Sequence, residues 1–254
     1  MTTRKRILAG NWKMNLLQEE ATQLAAALVK VSRTLRRTEV WLAPAFTSLS
    51  AVFAEVKGSS VNLGAQNAHW ENYGAFTGEV SVPMLKELGC SFCIVGHSER
   101  RHVFGECNEL VVKRTLGVLK SDLTVVLCVG ETLNERESGL TNAVLKEQLA
   151  PVLEQIPTQK TTQLVIAYEP VWAIGTGKVA TPKEIEGAHS FIHSFWDSKL
   201  PGSCPPILYG GSVAPGNFEE IVKVPLVGGA LVGGASLSFD KFNQLIHISE
   251  HNVI

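Results

Sequence analysis

Eight short apolar runs limit what this chain can fold into. They lie at residues 7–9, 39–43, 61–65, 92–95, 123–129, 164–168, 206–209 and 230–232. Each is continuous rather than alternating, which reads as a strand buried on both faces. Gly10, Pro44, Gly96, Gly130, Pro170, Gly210 and Gly233 close seven of them, and a long polar loop at 66–80 follows the third. Stretches with helical spacing alternate with the runs, at 16–35, 49–56, 81–88, 108–120, 141–155, 181–199 and 218–222, with a last helix from Ser236. Asn15 reads as the first helix's N-cap, and Thr181-Pro182 as the start of the sixth. Strands alternating with helices give a parallel sheet. Eight such units in 254 residues, without a linker or a composition shift, match a single (β/α)8 barrel spanning 1–254. An open doubly wound sheet is the alternative, but no G-x-G-x-x-G follows the first run.

A parallel barrel carries its chemistry at the C-terminal ends of its strands. This chain gathers unusual residues there: Asn11 and Lys13 after the first run, His97 after the fourth, Glu169 after the sixth, Ser212 after the seventh, Gly233 and Gly234 after the eighth. Glu169 directly follows a buried run and precedes Pro170-Val171-Trp172-Ala173-Ile174-Gly175-Thr176-Gly177-Lys178. Bulky apolar residues in a loop that also carries two glycines make a poor connector and a good moving cover. Exclusion of water under such a cover raises a carboxylate's pKa toward the working range of a base. Lys13, isolated among apolar neighbours, suits an anionic substrate or a Schiff base. If Ser98 caps a short helix, its dipole keeps His97 neutral, and a neutral imidazole still donates to a carbonyl oxygen. Gly233-Gly234-Ala235-Ser236 opens a helix whose bare N–H groups suit a phosphate. Gly177-Lys178 is no P-loop, because Trp172 takes the first glycine position and Val179 that of the Ser/Thr. His97 and His102 lack metal-ligand spacing, so no metal is expected.

Composition excludes several classes. Net charge is −1 with no long charge run, so no nucleic-acid footprint is expected. The basic start at 2–6 is followed by too few apolar residues for a signal peptide, and the longest apolar stretch, 226–235, is too short for a membrane span. Five scattered cysteines fit a reduced cytoplasm rather than a disulfide frame. Cys90 and Cys93 form a C-x-x-C, but Cys93 sits within an apolar run, so buried thiols are expected rather than a redox pair.

Taken in order, Gly10-Asn11-Trp12-Lys13-Met14-Asn15, Gly74-Ala75-Phe76-Thr77-Gly78-Glu79, Gly96-His97-Ser98-Glu99-Arg100-Arg101, Cys128-Val129-Gly130-Glu131, Tyr168 through Lys178, Tyr209-Gly210-Gly211-Ser212-Val213 and Leu231-Val232-Gly233-Gly234-Ala235-Ser236-Leu237 carry a close resemblance to the triosephosphate isomerase family over nearly the whole chain. The resemblance implies interconversion of dihydroxyacetone phosphate and glyceraldehyde 3-phosphate with no cofactor and no metal. It assigns Glu169 as carbon-acid base, His97 as neutral electrophile, Lys13 and Asn11 as electrostatic stabilisers and Glu99 as a partner near Lys13. Backbone N–H groups of Gly175, Ser212, Gly233 and Gly234 hold the phosphate. These roles are the family's, carried over residue by residue. It also implies a homodimer in which the 66–80 loop enters the partner, with Thr77 reaching the other site and Glu79 pairing with Arg100 across the interface. One departure stands out: the family's arginine after the lid and aspartate before the last strand correspond to His193 and to 226–228, so an ion pair is lost. Two other readings remain: a phosphate-binding barrel lyase with Lys13 as Schiff base, and a non-enzymatic scaffold on the same fold.

Overall fold

The computed structural model describes residues 4–252. Thr2 and Thr3 of the basic start, and Val253 and Ile254 of the tail, lie outside the described residues. In chain order the elements are β1 (Arg6–Asn11), α1 (Gln18–Ser32), β2 (Thr38–Ala43), α2 (Leu49–Val56), β3 (Asn62–Ala65), α3 (Val82–Glu87), β4 (Phe92–Val95), α4 (Ser98–His102), α5 (Asn108–Lys120), β5 (Thr124–Val129), α6 (Leu133–Glu137), α7 (Thr141–Leu153), β6 (Leu164–Tyr168), α8 (Pro182–Asp197), β7 (Ile207–Tyr209), α9 (Pro215–Val222), β8 (Val227–Val232) and α10 (Phe239–His251). The eight strands pair in sequence order, all parallel, and β8 closes on β1. Among the described residues no helix is long and apolar enough to cross a membrane.

Strand parity explains both the core and the site. Ile7, Ala9, Trp41, Phe92, Ile94, Val126, Val165, Ala167, Leu208 and Leu231 belong to the cluster that fills the barrel. Leu8, Val40, Val125 and Ile166, one residue out of step, pack outward against the helices. Gly64 lets the Phe92 ring into the barrel, since a Cβ there would meet that ring at 2.4 Å. Continuing the inward positions upward by two residues gives Asn11, Glu169, Gly210 and Gly233. The alternation that builds the core therefore delivers these four positions to the barrel mouth.

Some expected boundaries shift. α1 starts at Gln18 rather than Leu16, and Asn15 does not cap it. The Asn15 Nδ2 donates instead to the Trp12 carbonyl at 2.8 Å, while Glu20 accepts from the Leu17 N–H at 2.8 Å. The last helix starts at Phe239, because a 3-10 turn (Gly234–Leu237) precedes it and Ser238 caps it. α6 was not expected, although Thr132 and Glu135 form its capping box. Cys90 and Cys93 are free and buried, and burial pushes the Cys90 thiol up to about 12, which leaves it inert. His193 meets Asp197 one turn along α8 at 3.1 Å.

His189 on α8 is fully buried beneath Tyr168, edge-on at 6.0 Å, with Nδ1 3.4 Å from the Leu226 carbonyl. Burial lowers its pKa from 6.5 to about 4. A depressed histidine pKa means that the unfolded chain binds the proton first. Stability is then full above pH 6.5 and falls as the pH drops toward 4, by roughly 3 kcal/mol at about 1.4 kcal/mol per unit. Melting temperature should therefore fall between pH 6.5 and 5, and His189→Asn should flatten that slope; a wild-type profile that is flat over the same range contradicts the assignment.

Candidate active site

A cleft of about 320 Å³ opens at the C-terminal end of the barrel, and Asn11, Lys13, His97, Glu169, Gly175, Ser212, Gly233 and Gly234 all line it. A larger cavity, of about 560 Å³, lies on the opposite face and contains no part of this constellation. Chemistry, not size, therefore makes the cleft the candidate site.

Glu169 and His97 meet directly. The Glu169 Oε1 lies 3.0 Å from the His97 Nε2, and its Oε2 accepts the Ser98 N–H at 2.8 Å. Glu169 is only 2% exposed. Burial pushes its carboxyl pKa up, as expected, but His97, the Ser98 N–H and Lys13 together outweigh burial, so the net direction is downward. The expected upward shift is thus absent in this arrangement, because the carboxylate has partners that the sequence does not reveal.

His97, rather than Ser98, occupies the N-cap of α4. Its Nδ1 accepts the Glu99 N–H at 3.2 Å, which leaves the ring proton on Nε2, facing Glu169. Burial lowers the imidazole's pKa, and the Glu169 carboxylate raises it further than burial lowers it. The net direction is therefore upward, opposite to the effect of the helix dipole alone. Both shifts belong to the contact between the pair, so separating the two side chains removes the largest opposing contribution to each.

Lys13 sits at φ 51°, a left-handed conformation uncommon for a residue with a side chain. The Asn11 Oδ1 accepts its N–H at 3.1 Å, and the Gln66 Nε2 donates to its carbonyl at 2.8 Å and to the Ala43 carbonyl at 2.9 Å. These bonds hold the turn. The Lys13 Nζ reaches the Glu99 Oε1 at 2.5 Å, and its stem passes beside Gly233.

The lid begins with a 3-10 turn (Val171–Ala173), and Gly175 and Gly177 follow at φ 68° and 78°. Ser212 gives both its N–H and its hydroxyl to the Ala173 carbonyl, at 2.9 and 2.6 Å. The Ser212 N–H is therefore already in use, whereas the Gly233 and Gly234 N–H groups have no partner among the described residues.

Glu131 is a participant whose role the sequence reading missed. It is fully buried, and its Oε1 accepts from the Tyr168 hydroxyl and the Trp172 Nε1, both at 3.0 Å, and from the Arg136 guanidinium at 3.2 Å. Arg136 also lies 4.7 Å from the Trp172 ring and reaches Glu184 at 2.7 Å. This cluster ties the start of the lid, at Trp172, to α6 and α8. A signal was present, because Glu131 ends its strand as Glu169 ends the next.

The 66–80 loop is internally braced. His69 stacks on Trp70 at 4.0 Å and lies against Phe76 at 4.1 Å, and Arg114 donates to the Ala68 carbonyl at 2.6 Å. Within one chain Glu79 meets Arg114 at 3.2 Å and Arg100 meets Glu106 at 2.7 Å, so neither waits unpaired for the other. Thr77 is exposed at the loop's tip.

Comparison with known proteins agrees with this geometry. The family model described as triosephosphate isomerase matches residues 6–249. The chain belongs to the triosephosphate isomerase family. Relatives of that name include one from Endomicrobium trichonymphae, 47% identical over 97% of this chain and 100% of the relative. One from Geotalea uraniireducens is 44% identical over 97% of this chain and 100% of its own length. A third, from Aquifex aeolicus, is 43% identical over 96% of this chain and 99% of its own. As a triosephosphate isomerase family member, the chain joins the barrel, the carboxylate–imidazole pair and the glycine-flanked lid in one known frame.

Proposed function

We infer that this chain is an aldose–ketose isomerase that interconverts dihydroxyacetone phosphate and D-glyceraldehyde 3-phosphate, a step of glycolysis and gluconeogenesis. The observation that carries the reading is a buried carboxylate against an imidazole Nε2, in a cleft that also holds Lys13 and two free glycine N–H groups. Glu169 takes a proton from the carbon beside the carbonyl and returns it to the neighbouring carbon. His97 donates from Nε2 to the carbonyl oxygen and then moves protons between the two oxygens. Asn11 and Lys13 offset the charge of the enediolate and the phosphate.

Glu169 is engaged here by His97 and the Ser98 N–H rather than by a substrate. For Glu169 to reach substrate carbon it must leave His97 and the Ser98 N–H. Losing those partners while staying dry raises its pKa, which turns a weak base into an effective one. His97 loses its carboxylate at the same moment, which removes the contribution that raises its pKa, so the ring stays neutral with its proton on Nε2. The phosphate draws N–H groups of Gly175, Ser212, Gly233 and Gly234 around itself, and the lid shields the enediolate from water. Glu99 next to Lys13 suits a charged ammonium rather than an amine nucleophile, so the Schiff-base lyase is the weaker reading.

A coupled assay with glyceraldehyde 3-phosphate tests the inference. Turnover without added metal or cofactor is expected. No activity, or a borohydride-trapped adduct on Lys13, overturns it. Gly210 supplies a finer test, since a Cβ there would lie 2.8 Å from the Glu169 Cγ. Gly210→Ala should cut kcat about a hundredfold by displacing the carboxylate, with an unchanged circular dichroism spectrum.

Homodimerisation is part of the same reading. Met14, beside Lys13, is 95% exposed, and Tyr73 on the braced loop is 87% exposed. Apolar side chains so open to water, one on each of these two loops, suit an interface in which Thr77 enters the partner's mouth. Thr77→Arg should shift the sedimentation coefficient toward a monomer and reduce turnover together; a full-size dimer with full activity contradicts this. Residence in the cytoplasm is inferred from the five free cysteines.

A further inference from the structure

The cavity of about 560 Å³ on the far face is lined by Arg4, Lys5, Arg6, Arg36 and Arg37. All lie at or before the starts of β1 and β2, on the N-terminal face of the barrel. Among the described residues no carboxylate side chain lines the cavity, and none of the five cationic side chains forms an ion pair. Glu250, the nearby acid, is spent on the backbone N–H groups of Arg36 and Arg37 at 2.7 and 3.0 Å. His193 faces Asp197. Arg6 is buried, 8% exposed. One of its nitrogens donates to the carbonyls of Ser249 and Asn252, while its buried Nε has no partner. Arg4 donates to the Cys204 carbonyl at 3.1 Å. Pro205, Pro206, Ile207 and Leu226 form an apolar wall.

Positive charge concentrated this way is costly without a counter-charge. Burial and the neighbouring Arg37 both pull the Arg6 pKa down, which is the sign of that cost. Guanidinium groups match phosphate oxygens bidentately, and the apolar wall suits an uncharged body. We propose that this cavity is a second ligand site, separate from the mouth, that binds a small organic polyphosphate with its phosphates on the arginines and its uncharged part against Pro205, Pro206 and Leu226. His193 and 226–228 line the same cavity.

Titration calorimetry of the full chain with ADP at constant ionic strength tests the proposal, with inorganic pyrophosphate as competitor. One saturable ADP site per chain is expected, displaced by pyrophosphate and not competitive with triose phosphate in turnover. Arg36 and Arg37 are exposed, so Arg36→Ala/Arg37→Ala should fold and keep kcat/KM while weakening ADP at least tenfold. ADP should also raise the melting temperature of the wild type and not of the double variant. Absence of saturable binding overturns the proposal. Binding unaffected by the double substitution, or binding that simply competes with triose phosphate at the mouth, overturns it equally.

Discussion

Glu169→Gln is expected to lower kcat by about a thousandfold, within the span of 10² to 10⁴ that a positioned general base contributes. The amide keeps an oxygen for the Ser98 N–H, which the carboxylate accepts at 2.8 Å, so the protein should fold and bind substrate. What disappears is the group that takes the proton. A second readout separates this from a structural defect. The Glu169 carboxylate raises the His97 pKa, so the glutamine variant should show that pKa moving down in a histidine NMR titration. A turnover within tenfold of wild type, or a His97 titration that does not move, would remove Glu169 from the role of base.

Lys13→Met is the second large effect. Removal of one preorganised electrostatic stabiliser costs about 10² to 10³ in turnover, and here KM should rise as well because the same charge meets the phosphate. The fold should tolerate the change. Glu99, left without its ammonium partner, is 45% exposed and can turn to water. The turn is held by the Asn11 side chain on the Lys13 N–H and by Gln66 on its carbonyl, neither of which involves the lysine side chain. Steady-state kinetics on a variant with a native melting temperature checks the expectation. A near-native kcat/KM would falsify it.

Much of this was legible in the residues. The eight apolar runs gave the barrel because each is short, continuous and stopped, and the structure closes β1 to β8 in that order. Their places just past the ends of apolar runs made Asn11 and Glu169 readable as mouth residues before any contact was known. The net pKa of Glu169 was not readable. Its partners, His97 and Ser98, come from another strand's end, with Ser98 71 positions away in the chain, and whether burial or those partners wins is a matter of ångströms. Glu131 was visible as a carboxylate at a strand end, but its hold on Trp172 crosses from one loop to the next. The first helix began late for a local reason: Leu16 adopts φ 68°, and the Asn15 side chain turns back to Trp12. Apolar spacing could not report either.

The hold of Ser212 on the Ala173 carbonyl has a consequence for timing. The Ser212 N–H that holds the Ala173 carbonyl is one of the donors that the proposed function assigns to the phosphate. On that reading, capture of the phosphate and release of this hold on the lid are one exchange of hydrogen bonds. A lid coupled to its ligand in this way would move in step with substrate capture and product release.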